Sequence, residues 1–370
     1  MSKKIIALLL ACVMVLGLAV CGSTTESTEA STEAATPATD AAFTEAEPID
    51  VALRVWAPSE DQNPELGQWL ITMCEEFNNL HPEGNITFEY GVCTESDAKK
   101  LVPQDMEAAA DVFLYSSTNL EVLTFSNALA EFGGSYLETI KNNYPQSMVD
   151  CVNLANGATF FGEDGTDREA GIQLGGENGI AVTHALIDYV ANSNFIVAEP
   201  ADAISMMREG NCDAYVCGTW QAAQTEEILG ENYGVAILPT ATIGGEVRQL
   251  RPFTSAKVIG VKSTTQFPEV ALNLALWLGG YESQKAHYEL RGYIPCELQL
   301  MSEVQDDIVC RIDAQTITEI AVPRYSFAEF SYFWTPAESM GLEIRDGVVT
   351  HENAAEKTEA LNSAVNSAGI

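Results

Sequence analysis

Two short runs of the chain gather the residue types that recognise polar small molecules: Trp56, Glu60 and Asp61, and further on Tyr115 and Asn119. Aromatic faces cover apolar surface, while carboxylates and amides accept and donate hydrogen bonds in pairs. The residue types of covalent chemistry are scattered instead. The four histidines share no motif, and no His-Glu-x-x-His, phosphate loop or nucleophile elbow occurs. His287 falls on a helical face and His81 at a helix end. Carboxylates are abundant, yet no spacing among them marks out a glycosidase pair. Apart from Cys12 and Cys21, the cysteines are Cys74, Cys93, Cys151, Cys212, Cys217, Cys296 and Cys310, none in a CxxC or zinc spacing. They read as free, semi-buried small hydrophobes. The expectation is that the protein is not an enzyme and carries no metal and no cofactor.

The elements that must position the two runs follow from hydrophobic periodicity. Residues 49–56 alternate as a strand; Leu66, Trp69, Leu70, Met73, Cys74 and Phe77 recur at helical spacing; Ile86–Tyr90 is a second strand. A short helix over Ser96–Val102, stopped by Pro103, leads to a buried strand over Ala110–Tyr115. The β-α-β-α-β order implies a mostly parallel sheet covered by helices, hence an α/β fold. Ligands of such sheets bind outside the carboxyl ends of the strands, which are the two runs named above. A second unit follows, with helices over Glu177–Val190, Ile204–Glu209 and Gln221–Leu229. Strands are expected over Asp213–Val216, Tyr233–Pro239 and Lys257–Val261. Helices are expected over Pro268–Gly279, Ser283–Arg291, Glu329–Ile344 and Ala354–Ser367. Trp69 and Trp277 lie in helical apolar stripes and read as core.

The N-terminus speaks to location. Residues 1–20 carry Lys3 and Lys4 before an apolar core too short to span a bilayer stably, as in a secretion signal. Leu18-Ala19-Val20-Cys21 resembles a bacterial lipoprotein cleavage box, in which the cysteine is acylated, although Val20 is larger than the residue usual before it. Residues 21–48, rich in Ser, Thr, Glu and Ala, read as a lipid-anchored disordered linker reaching on the order of 30 Å. Removing residues 1–20 takes away two lysines and no acids, so the net charge of −35 becomes −37. That charge argues against nucleic acid and against an anionic membrane surface as partners. Attachment is then through lipid, at the extracellular face of the cell membrane.

Several ordered stretches carry a family resemblance: Val55-Trp56-Ala57-Pro58 with Glu60-Asp61-Gln62; Ala108-Ala109-Ala110-Asp111-Val112-Phe113 before Ala128-Leu129-Ala130; Cys217-Gly218-Thr219-Trp220; Asn232–Thr240; Gln284–Glu289 with Ile294-Pro295; and Phe333-Trp334-Thr335-Pro336. With them the chain resembles the extracellular solute-binding proteins typified by maltose-binding protein. The resemblance implies a periplasmic-binding-protein-like fold of two lobes with mostly parallel sheets and an interlobe cleft. One lobe spans 49–138 plus 257–314, the other 139–256 plus 315–370. It implies that Trp220, Trp334 and Tyr115 stack on sugar rings, that Glu60, Asp61 and Asn119 bond hydroxyls, and that Trp56 lines or supports the cleft. Core packing is the competing reading for each aromatic. The chain departs from the family where only Phe132–Asn156 bridges a normally long stretch, so the second lobe is expected to be incomplete and to lack a strand. The implied function is that of a monomeric carbohydrate-binding lipoprotein serving the permease subunits of an ABC sugar importer. A non-transporting glycan-binding or sensing lipoprotein, and an inactive shortened paralogue, stay open beside it.

Overall fold

The computed structural model describes residues 50–146, 148, 168–323 and 327–367. The signal, the linker, Cys21 and Cys151 lie outside the described residues. No described helix is long and apolar enough to cross a membrane. Strand β1 (Asp50–Ala57) alternates as expected: Val51, Leu53, Val55 and Ala57 are buried, and the residues between them are more exposed. It pairs in parallel with β2 (Asn85–Val92) and with β3 (Val112–Ser116). A later strand, Lys257–Val261, pairs antiparallel with β3 and closes a four-stranded sheet. Because Val112, Phe113, Leu114 and Tyr115 are all buried, β3 is covered on both faces. Helices Trp69–Leu80 and Pro268–Gly279 cover one face, the first through Trp69, Leu70, Met73, Cys74 and Phe77. Ala98, Val102, Leu120 and Leu123 cover the other, around Phe113. Pro103 was expected to end its helix but sits in the last turn of Ala98–Gln104. Its missing N–H leaves only the carbonyl of solvent-exposed Lys99 without a helical partner.

The second half is largely helical. Asp213–Val216 and Tyr233–Pro239 were expected as strands; neither segment joins a ladder. An apolar segment becomes a strand only when a neighbour satisfies its backbone groups, and no ladder partner stands beside these among the described residues. Cys217 is consequently exposed rather than semi-buried. The ribbon β4 (Thr240–Ile243) with β5 (Glu246–Gln249) was not foreseen. Gly244 and Gly245, at φ 61° and 83°, make its two-residue turn, a conformation that side chains disfavour. A short parallel pair, β6 (Phe253–Thr254) with β8 (Val322–Pro323), frames β7 (Lys257–Val261) in the chain. Helix Ala354–Ser367 fastens the segment around Ile172 with side-chain amides. Asn366 accepts from Ile172 N (2.8 Å) and donates to its carbonyl (2.7 Å), and Asn362 accepts from Leu174 N (2.8 Å).

One half-buried carboxyl opposes folding at neutral pH. Burial holds Asp313, in helix Ile308–Gln315, up at about 6 against an ordinary 3.8. The folded chain then binds this proton more tightly than the unfolded chain does. The destabilisation sets in as pH rises through 3.8, grows until about 6 and persists above. Asp313→Asn is expected to add about 2 kcal/mol of stability near neutral pH and almost nothing near pH ~4. Urea unfolding at the two pH values checks this; an equal gain at both would contradict it.

Candidate ligand-binding site

At the carboxyl end of β1 the chain turns through Pro58 into a single 3-10 turn, Ser59–Asp61, which drives Asp61 inward to 1% exposure. Its Oδ1 accepts from Arg291 Nη1 at 2.6 Å and meets His287 Nε2 at 3.0 Å, while its Oδ2 is buried with no hydrogen-bond partner. His287 and Arg291 lie one turn apart on helix Tyr281–Arg291. Gly292, at φ 66°, ends that helix in the left-handed conformation and returns the chain so that Tyr293 meets His287. The imidazole lies between two rings, Trp69 (4.3 Å, 9°) and Tyr293 (4.1 Å, 24°). The Trp69 indole N–H donates to the Ser283 carbonyl at 2.8 Å, which locks the stack.

Cations crowd Tyr293. The Arg291 guanidinium is 4.8 Å and Lys257 Nζ 4.5 Å from the ring centre, and Lys257 also donates to the Tyr293 hydroxyl at 3.2 Å. Lys257 pairs with Glu95 at 2.6 Å. Burial works against the Lys257 ammonium, but Glu95 and Tyr293 outweigh it and hold its pKa above the ordinary value. The result is a half-buried aromatic face ringed by fixed charges of both signs. Among the described residues no group of three or more His, Cys, Asp or Glu side chains is placed to hold a metal ion.

The expected site residues fall into three environments. Asp61, Tyr115 and Asn119 are buried and engaged with protein groups. Tyr115 is 4% exposed and packs on Phe113, its hydroxyl pushed up by burial, and Asn119 donates to the carbonyls of Glu95 (2.8 Å) and Ser96 (3.4 Å). Glu60 and Trp56 are half-buried, and the Trp56 indole lies so close over Gly91 that a Cβ there would stand 2.4 Å from the ring. Trp220, in the turn Thr219–Gln221, is 82% exposed, and Trp334, opening helix Trp334–Arg345, is 42% exposed. Trp334 sits edge-on to Phe330 (5.6 Å) and Phe333 (5.2 Å). Sequence reasoning missed Lys257, Arg291, Tyr293 and Glu95 and left His287 as a helix-face residue. Asp61 and Arg291 are 230 positions apart, and no local pattern joins them.

The four-stranded, mostly parallel sheet with helices on both faces belongs to a protein of the maltodextrin-binding-protein fold. The architecture matches maltodextrin binding protein MalE1 from L. casei BL23 at TM-score 0.73 and 17% identity, over 86% of this chain and 100% of that one. It matches the maltose-binding protein MalE from Listeria monocytogenes, solved in complex with maltose, at 0.68 and 16%, over 84% and 97%. A chain solved with acarbose is similar at TM-score 0.74 and 32% identity, over 87% of this chain and 100% of that one. Residues 125–308 match the family model described as bacterial extracellular solute-binding protein. The galactooligosaccharide-binding protein of Bacillus subtilis (strain 168) is 24% identical over 231 residues, 60% of this chain and 52% of that protein. The chain thus spans about half the length of that curated relative. It belongs to the bacterial extracellular solute-binding protein family, whose members bind rather than transform their solutes.

Proposed function

We propose that this chain captures an oligosaccharide in a cleft between two lobes, as the binding component of an ABC-type sugar importer. The observation that carries the reading is the 32% identity to a chain solved with acarbose, sustained over 87% of the sequence. The lobes are 49–138 with 257–314, and 139–256 with 315–370. Trp220 and Trp334 supply the exposed stacking faces, and Glu60 and the Asp61 cluster lie at the strand ends of the first lobe. A sugar ring offers an apolar CH face to indole and hydroxyls to carboxylates, so this mixture suits it. Closure follows from contacts to both lobes, because a ligand shifts an equilibrium only through differential affinity for its two states. Acylation at Cys21 tethers the monomer to the outer face of the membrane beside its permease. The bare segments 213–216 and 233–239 favour a second reading, a glycan-binding lipoprotein that does not transport.

Titration of the purified protein with maltose, maltotriose, acarbose and galactooligosaccharides, followed by calorimetry and melting temperature, tests binding. One of them is expected to raise the melting temperature by mass action. Trp220→Ala is expected to weaken that ligand about tenfold, ~1.4 kcal/mol, because the exposed ring offers its face to a sugar. The same substitution leaves ligand-free stability within about 0.5 kcal/mol. A melt that no sugar moves would defeat the proposal. Binding without uptake in cells carrying the neighbouring permease would favour the second reading.

A further inference from the structure

A second cluster of chemically capable side chains lies outside the candidate ligand site, on helix Gly176–Val190 and the loop before helix Ala354–Ser367. His184 Nδ1 and His351 Nδ1 stand 2.6 Å apart with their rings nearly parallel (centres 4.9 Å, 18°). His351 Nε2 is 2.9 Å from Asp188 Oδ1, and Asp188 is one helical turn beyond His184. With its Nε2–H donated to that carboxylate, His351 presents a bare lone pair at Nδ1, aimed at the corresponding atom of His184. At this distance a positive centre lies between the two nitrogens: a proton on His184 Nδ1, which makes an N–H···N hydrogen bond, or a metal cation in the proton's place. A carboxylate bonded to the remote nitrogen of an imidazole is the arrangement that orients histidine toward a metal and raises its basicity.

Both imidazoles sit on firm supports. Thr183, beside His184, is 4% exposed and bonded to Thr358 at 2.7 Å. The His351 loop is pinned by Asn353, which accepts from Thr350 N (2.7 Å) and donates to the Val348 carbonyl (2.9 Å). The net charge of −35 favours cation capture. We propose that His184 and His351 bind a divalent cation of the zinc class, with Asp188 as the outer partner that fixes His351. Zinc–nitrogen bonds of about 2.0–2.1 Å at a tetrahedral angle place the two nitrogens about 3.3 Å apart, so the two rings must part and swing until their lone pairs converge on the ion. Water completes the shell, since no set of three or more such side chains is gathered among the described residues. The ion then bridges the helix and the loop.

Calorimetric titration of the purified, tag-free protein with zinc chloride, without sugar, tests this independently of the sugar reading. The expected result is uptake of a single zinc, lost in His184→Ala and in His351→Ala and weakened about tenfold in Asp188→Asn. Cys217→Ser, which removes the exposed thiol, leaves the binding unchanged. Asp188→Asn removes no proposed ligand and is isosteric, so it keeps the test decisive if an alanine variant folds poorly. No zinc uptake by the unaltered protein, undiminished uptake by either histidine variant, or loss in Cys217→Ser overturns the proposal.

Discussion

Arg291→Ala is expected to cost about 3–5 kcal/mol of stability, the range for removing one partner of a buried ion pair. Asp61 is 1% exposed, and its Oδ2 has no partner, so the carboxylate depends on what reaches Oδ1. Arg291 reaches it at 2.6 Å; without the guanidinium only His287 remains, at 3.0 Å. The loss is asymmetric. The Arg291 side chain retains 16% exposure and can turn to water, so Asp61→Asn is expected to cost only about 1–2 kcal/mol. The double substitution Asp61→Asn/Arg291→Ala is therefore expected to be more stable than Arg291→Ala alone, because the buried charge is gone. Urea unfolding of the three variants measures this. A double variant less stable than Arg291→Ala would show that the arginine acts by packing on Tyr293, 4.8 Å away, rather than by neutralising Asp61.

The portion of the fold legible in the sequence is the portion written in local periodicity. β1 alternates because one face is buried, and Trp69–Leu80 repeats every three or four residues because one stripe is buried. The parallel order of β1, β2 and β3 then follows from the intervening helices. Asp213–Val216 and Tyr233–Pro239 carry equally strand-like residues, but a strand needs a neighbour and the sequence of the segment says nothing of one. Position at a strand end indicated the region of the site without indicating direction. Tyr115 and Asn119 end buried, Asp61 turns under its own 3-10 turn, and only Trp220 and Trp334 keep open faces. The charges that complete the cluster, Arg291 and Lys257, come from distant segments, and only the folded chain brings them to Tyr293.

Phe330→Ala is expected to cost about 3–5 kcal/mol, as truncating a buried phenylalanine does, and to split the thermal transition in two. Phe330 is 1% exposed in the turn Ala328–Phe333, edge-on to Phe253 (5.3 Å, 77°) and parallel to Phe333 (5.8 Å, 17°). Among the described residues, the fully buried apolar side chains around it are Ile172 and Val365, with Leu174, Phe253, Phe327, Phe333 and Leu361 half-buried. The sheet core, by contrast, holds Leu53, Val55, Leu70, Leu274 and thirteen further buried side chains. Phe330 is the ring on which Phe253, Phe333 and Trp334 converge, so the Phe330 region is expected to melt first while the sheet core persists. Differential scanning calorimetry should resolve a new low-temperature transition in Phe330→Ala. Leu53→Ala, cut from the sheet core at a similar cost, should lower the sheet transition instead. Trp334 leans edge-on against Phe330 at 5.6 Å, so the same variant should also weaken the oligosaccharide. Adding Trp334→Ala should then weaken it little further, because residues in contact do not contribute additively. Fully additive losses, or one unsplit transition, would show that Phe330 neither supports Trp334 nor holds a core of its own.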